Sequence, residues 1–135
     1  KNNDQVTLGN INSKRDLTFV SDTARGIILA LVVEGIVGET INIGSQRALS
    51  IKELVKEISN IMDRDVSINV DSTRFRPDDV DTLVCDYNKA NKLLGWKPEI
   101  SINEGLEATI EWVKENGISF NNPFKCWTSS YRKKF

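Results

Sequence analysis

A small α/β unit is the fold class this 135-residue sequence predicts, and three observations carry that expectation. Apolar and polar residues alternate at Val6 to Leu8 and again at Val66, Ile68 and Val70, the period of half-buried strands. Behind Ser50, apolar residues recur at helical spacing. Ser50–Glu53 and Ser101–Glu104 repeat one Ser-Ile-x-Glu start, the capping-box chemistry that opens a helix.

Taken in order, Val6 to Leu8 is the first strand. Leu17 and Phe19 flank polar Thr18 in a second short extended piece. Ser21 or Asp22 is placed to cap the following helix, and Ala24, Ile27, Ile28 and Leu31 line one apolar face of it. Gly35 and Gly38 end that helix. Ile41 and Ile43 alternate around Asn42 as a short strand closed by Gly44-Ser45. The helix opened by Ser50 turns Ile51, Leu54, Val55, Ile58 and Met62 toward a core. A strand from Val66 to Val70 leads into a polar stretch, 71–81, where Pro77 lacks a ladder donor and biases Arg76 toward extended geometry. Asp86 reads as the N-cap of a short helix that Gly95 terminates. Ser101 opens the last long helix, with Ile102, Leu106, Ile110 and Val113 inward and Gly117 as its stop.

Composition bounds the function. Hydrophobic residues make up 39% and charged residues 27%, the balance of an ordinary globular domain. A net charge of −1 offers no global attraction to nucleic acid or to an anionic membrane. No apolar run is long enough to span a bilayer, and the N-terminus has no signal-peptide core. Cys85 and Cys126 are too few for a disulfide framework, and a reduced, cytoplasmic setting is expected. With no histidine and no clustered cysteines, neither a zinc site nor a Cys-His nucleophile is expected.

A series of short signatures runs through the chain in one order. They are Arg15-Asp16-Leu17-Thr18-Phe19-Val20-Ser21-Asp22, Thr40-Ile41-Asn42-Ile43-Gly44-Ser45, and Ser50-Ile51-Lys52-Glu53-Leu54. Arg76-Pro77, Asp86-Tyr87-Asn88-Lys89-Ala90, Leu93-Leu94-Gly95-Trp96-Lys97-Pro98 and the run from Ser101 to Trp112 follow. The series resembles the C-terminal, nucleotide-sugar-binding part of the NAD(P)-dependent epimerase/dehydratase family, the extended short-chain dehydrogenases. The resemblance covers roughly residues 14–115. It implies a C-terminal substrate-binding lobe over residues 1–116, with residues 117–135 an unassigned tail whose basic end, Arg132-Lys133-Lys134, is given no function.

Two family features are missing from the sequence. The Gly-rich dinucleotide fingerprint should follow a strand and open a helix, yet Gly35, Gly38 and Gly44 follow a helical pattern and no G-x-x-G-x-x-G exists. The catalytic Tyr-x-x-x-Lys also fails, because Asn91 lies four residues after Tyr87 and Phe135 four after Tyr131. The resemblance therefore implies that NAD or NADP is held by an N-terminal Rossmann domain outside this chain. The chain alone is expected to bind no dinucleotide and to turn over no substrate. Its expected ligand is a nucleotide-diphosphate sugar, and the full-length form is expected to dimerise. A non-enzymatic binding module derived from the lobe, and a truncation fragment without independent function, are the alternative readings.

The candidate site residues are Arg15, Asn42 and Arg76. Two guanidinium groups from separate segments can clamp a diphosphate through charge-assisted, bidentate hydrogen bonds. The resemblance implies that role for Arg15 and Arg76; by residue type and spacing alone they read as surface or ion-paired charges, Arg15 against neighbouring Asp16. Arg76-Pro77-Asp78-Asp79-Val80-Asp81 carries Asp78 where the frequent family form, Arg-Pro-Gly-Asp, has glycine, and lies nearer an Arg-Pro-x-Glu-Val-Asp version of related dehydratases. Its acidic residues can compete with phosphate for Arg76 or fix its rotamer. The Asn42 amide can serve a phosphate or sugar oxygen, or satisfy the turn itself; the resemblance to the family's Asn-Ile-Gly segment implies the former. Asp16 is expected to support the Arg15 segment, Asp22 to cap, Trp96 and Trp112 to be structural, and Lys89 to be a solvated helix charge. No catalytic residue is assigned.

Overall fold

The computed structural model of the chain describes residues 4–76 and 78–117. The tail with Cys126 and Arg132-Lys133-Lys134, and Pro77, lie outside the described residues. The chain divides into two units, residues 1–102 and residues 103–135.

The first unit holds two small sheets. Strand β1 (Asp4–Leu8) runs parallel to β4 (Val66–Val70), with Asp4 opposite Val66 and Leu8 opposite Val70. Strand β2 (Lys14–Asp16) is the centre of the other sheet. It pairs antiparallel with β3 (Ala48–Ser50), Arg15 facing Leu49, and parallel with β5 (Thr82–Leu83), Arg15 facing Leu83. Segments about 35 residues apart on either side of Arg15 are thus brought beside it, which is what gives a three-residue strand its importance.

Helix α2 (Ile51–Met62) follows β3 directly. Its capping box forms as the sequence predicts: the Glu53 N–H donates to Ser50 Oγ at 3.2 Å, and Glu53 Oε2 accepts from the Ser50 N–H at 2.8 Å and from Ser50 Oγ at 2.7 Å. Ile51, Leu54, Val55 and Ile58 are half-buried, while Met62 at the last turn is exposed. A left-handed Asp63 ends the helix before β4.

The core of this unit is Ala90, Leu94 and Trp96, surrounded by Leu29, Val33, Ile36, Ile41, Ile43, Tyr87 and Leu93. Helix α1 (Val20–Val32) reaches it through Gly26, where a Cβ would lie 2.9 Å from Ile43 Cδ1 and 3.1 Å from Trp96 Nε1. Trp96 donates its indole N–H to the Asp22 carbonyl at 2.9 Å and meets Tyr87 edge to face at 5.8 Å. Short helix α3 (Asn88–Leu94) ends at Gly95 in the left-handed region, φ +64°, so that the chain can fold Trp96 back into the core. Trp96 is structural, as expected.

Several local expectations are corrected. The second strand ends at Asp16, ahead of Leu17–Phe19, because its partner β3 is only three residues long. Residues 40–45 join no sheet; Ile41 and Ile43 instead pack on the core around Trp96. Helix α1 ends at Val32, before Gly35 and Gly38, which are left-handed in the following turns. Its expected apolar face points outward, with Ile27, Ile28 and Leu31 exposed, because the helix turns Asp22, Gly26 and Leu29 toward the Trp96 core instead. Phe19, with no side-chain bond, occupies the N-cap in place of Ser21 or Asp22. Asp86 sits one residue before the N-cap of α3 yet still accepts from the Asn88 N–H at 2.8 Å. Lys89 is ion-paired with Glu39 at 2.7 Å.

In the second unit the long helix α4, which begins at Ile102 and runs to Asn116, matches the predicted start after Ser101. Gly117, φ +65°, donates its N–H to Val113 O and is the stop. Among the described residues no helix is long and apolar enough to cross a membrane.

Candidate functional site

Arg15 lies mid-strand in β2, held between β3 and β5. Its Nη2 donates to Asp79 Oδ1 at 2.6 Å, and its Nη1 donates to the carbonyls of Val80 at 2.7 Å and Lys14 at 2.8 Å. The expected local partner, Asp16, is not used. Adjacent residues of a strand point to opposite faces, so Arg15 and Asp16 cannot readily meet. Asp79 also accepts from Asn10 Nδ2 at 3.1 Å and so ties the 76–79 turn to the strand region.

Arg76 opens that turn: its carbonyl accepts from the Asp79 N–H at 3.3 Å. The side chain is exposed, and among the described residues its guanidinium makes no hydrogen bond or ion pair. Of the acidic run that can compete for it, Asp79 is committed to Arg15 instead. The two arginines therefore sit on segments joined through one carboxylate, one guanidinium engaged and the other open to solvent.

Asn42 is exposed in the 40–45 segment, and its amide makes no hydrogen bond among the described residues, so it does not satisfy the turn. The segment itself is anchored by Asp16. Asp16 Oδ1 accepts from the Ser45 N–H at 2.8 Å and Ser45 Oγ at 2.6 Å; Oδ2 accepts from the N–H groups of Gln46 and Cys85, each at 3.0 Å. Asp16 does support the Arg15 segment, as expected, but through the opposite face of the strand.

Asp22 is 2% exposed. Its Oδ2 accepts from the Glu99 and Ile100 N–H groups, each at 2.9 Å, and its Oδ1 from Arg25 Nη2 at 2.8 Å. Burial pushes this carboxyl up, but the hydrogen bonds from Arg25, Ile100 and Glu99 outweigh it and hold the pKa below the ordinary carboxylate value. That is the environment of a structural anion, unsuited to accepting protons near neutrality. Burial, aided by the charges of Asp16 and Asp86, pushes the Cys85 thiol up, which disfavours the nucleophilic thiolate.

A cleft of about 410 Å³ lies nearby, walled by Leu17, Leu49, Tyr87 and Ile100, with Ser45 and Arg47 among its polar lining. None of Arg15, Asn42 and Arg76 lines it. Sequence reasoning passed over Arg47, exposed just beyond the Gly-Ser turn, and the Asp79–Arg15 pair, whose separation of 64 residues leaves no local signal.

Helix α2, which opens directly from a strand, has its first N–H groups already engaged, Ile51 to Ser13 O, Lys52 to Ile11 O and Glu53 to Ser50 Oγ, and no glycine at its start lets a pyrophosphate approach. Among the described residues no group of three or more His, Cys, Asp or Glu is arranged to hold a metal ion.

Comparison with known proteins decides the family. The GDP-mannose 4,6 dehydratase family matches residues 1–109. The chain belongs to that family. That family is one of the NAD(P)-dependent epimerase/dehydratase families of the extended short-chain dehydrogenase type. It is 37% identical over 109 residues to a UDP-glucuronate 4-epimerase of Thermodesulfobacterium geofontis, covering 80% of this chain and 32% of that one. The solved UDP-glucose 4-epimerase of Thermotoga maritima, with UDP-glucose, is similar with a TM-score of 0.73 and 30% identity, over 84% of this chain and 35% of that one. UDP-glucuronic acid 4-epimerase of Bacillus cereus, in complex with UDP-glucuronic acid and NAD, gives a TM-score of 0.75 at 30% identity, over 82% and 35%. The chain spans about a third of the length of these relatives.

Proposed function

We propose that this chain grips the nucleotide and diphosphate of a nucleotide sugar for an NAD(P)-dependent epimerase or 4,6-dehydratase, with Arg15, Arg76 and Asn42 as its binding residues. The nicotinamide and the catalytic Tyr-x-x-x-Lys of such an enzyme would come from outside these 135 residues, since the sequence has neither fingerprint. The chain's own contribution is orientation: holding the invariant half of the substrate so that the sugar meets the reacting groups in one pose.

The observation that carries this reading is the state of Arg76. An exposed guanidinium without a protein partner among the described residues opens a turn that Asp79 ties to Arg15. The open fork of Arg76 suits the oxygens of a diphosphate, and the Arg15 fork on the joined segment would meet them by exchanging its Asp79 bond for phosphate. The UDP-sugars in the Thermotoga maritima and Bacillus cereus relatives support the ligand class.

Titration calorimetry of the chain with UDP, GDP and dTDP tests it. Arg76→Ala should weaken the best of these by on the order of 1.5–3 kcal/mol, the worth of a charge-assisted hydrogen bond, or about tenfold to more than a hundredfold. Arg76→Lys should recover only part of that, because an ammonium keeps the charge but loses the two-donor fork. Thermal melts exclude unfolding as the cause. Equal affinity in wild type and Arg76→Ala would return this arginine to the solvated surface.

A further inference from the structure

Arg15 and Asn42 belong to segments that share no regular pairing, since residues 40–45 join no sheet. One side chain joins them. The Asp16 carboxylate takes two bonds from Ser45, one from the Gln46 N–H and one from the Cys85 N–H. Gln46 is left-handed, φ +59°, a conformation uncommon for a residue with a Cβ. With it, the successive N–H groups of Ser45 and Gln46 face the two oxygens of one carboxylate, the kind of concavity that elsewhere receives an anion. Here the protein fills it with its own carboxylate.

The loop has no slack around this contact. A Cβ on Gly44 would lie 2.2 Å from Cys85 Cβ, 2.7 Å from its Sγ and 3.1 Å from Asp16 Oδ2. The 40–45 segment therefore lies flush on the Cys85 side chain and on Asp16 at once. Because strand neighbours face opposite ways, the same two residues of β2 present a carboxylate to this loop and a guanidinium to the Asp79 turn. A shift of the loop on Asp16 displaces Asn42 relative to Arg15.

We propose that Asp16 is a positioning residue for the nucleotide-diphosphate grip, setting the Asn42 loop in register with the strand that carries Arg15. This rests on the function proposed above and adds to it a residue that touches no ligand. Asp16→Asn keeps the size but replaces one acceptor oxygen by an NH₂ that confronts two donors, so one side of the cradle fails. Ser45→Ala removes one of the four bonds to Asp16, together with the Ser45 Oγ bonds to Arg47, and leaves the backbone donors in place.

The test uses the 135-residue chain and whichever of UDP, GDP and dTDP it binds best, at a temperature where melts show every variant folded. Asp16→Asn should weaken binding about tenfold and Ser45→Ala a few-fold, the loss expected for charge-assisted bonds acting indirectly. The penalty of Arg15→Ala should also shrink in the Asp16→Asn background, because an Arg15 out of register with the Asn42 loop has less to lose. Generalised destabilisation would lower the melting temperature without producing that coupling. Wild-type affinity in folded Asp16→Asn, or an Arg15→Ala penalty undiminished in that background, overturns the proposal. Should Asp16→Asn not fold, Ser45→Ala decides, and unchanged affinity there overturns it too. A wild-type chain that binds none of the three nucleotides removes the functional reading itself; binding that is indifferent to Asp16 and Ser45 removes only this inference.

Discussion

Asp22 shows how far a residue's role can lie from its local sequence. Beside Ser21 at a helix start it reads as a cap, yet its carboxylate is spent on backbone donors 77 and 78 residues away and on Arg25. Its carbonyl takes the Trp96 indole N–H, and Arg25 lies over the Trp96 ring at 5.8 Å. A carboxyl whose folded pKa is lowered stabilises the fold fully above its unfolded value, near pH 4, and loses that contribution as pH falls through the folded value. Asp22→Asn is thus expected to be less stable than wild type at pH 7. The gap should narrow as pH drops below about 4, since the wild-type carboxyl then takes up its proton. Urea melts between pH 7 and pH 2.5 measure it, and a gap that does not change with pH would mean the carboxylate's charge is not what matters. Arg76 and Asn42 were legible at this scale because motif and residue type suffice to nominate an exposed group. The Arg15–Asp79 pair was not, because charges 64 residues apart become partners only when β2 and the Asp79 turn meet.

Among the elements, those that the sequence predicts best are the ones whose determinants are contiguous. The α2 capping box needs only Ser50 and Glu53, three residues apart, and forms as written. Ser50→Ala should cost about 1 kcal/mol, typical for loss of a helix N-cap side chain. Ser50→Thr should cost less, since it keeps the hydroxyl. Chemical denaturation reads both, and an Ala variant as stable as wild type would show that packing of α2 rather than its cap holds the helix. Gly95 is equally local: a left-handed stop followed by a turn back to Trp96. The 40–45 segment behaves differently. Its alternation predicts a strand, but a strand requires a neighbour to bond with, and β2 has β3 and β5 on its two edges. Ile41 and Ile43 still bury apolar surface, now against the Trp96 core.

At the scale of the whole chain, α1 carries the most conspicuous imbalance. Ile27, Ile28, Leu31 and Val32 are 57–79% exposed along one helix, and Val20 at its start is 70% exposed. A contiguous apolar face of this kind is uncommon on a protein surface. The chain is therefore expected to bind a hydrophobic dye, and Ile28→Glu with Leu31→Lys should reduce the dye signal severalfold without lowering the melting temperature, because neither side chain belongs to the core. Dye binding that is absent, or unmoved by the pair of substitutions, would show that this face is covered in solution.

The amino-acid order by itself determined the α/β class, the positions of the helices and of strands β1 and β4, the family and the nomination of Arg15, Asn42 and Arg76. Each depends on period, on a cap within three residues or on a motif read in series, all of which are properties of neighbouring residues. The tertiary structure alone decided what faces what. It turned the apolar side of α1 outward, because Asp22 and Gly26 face Trp96 and Gly26 leaves no room for a side chain there. It gave Arg15 to Asp79 and left Arg76 open to solvent. It also made Asp16 the joint between β2 and the Asn42 loop. Those outcomes depend on hydrogen bonds and close contacts between segments 29 to 78 residues apart. A linear pattern holds no distance between such segments until the backbone has folded and the donors of each are in reach of the acceptors of the other.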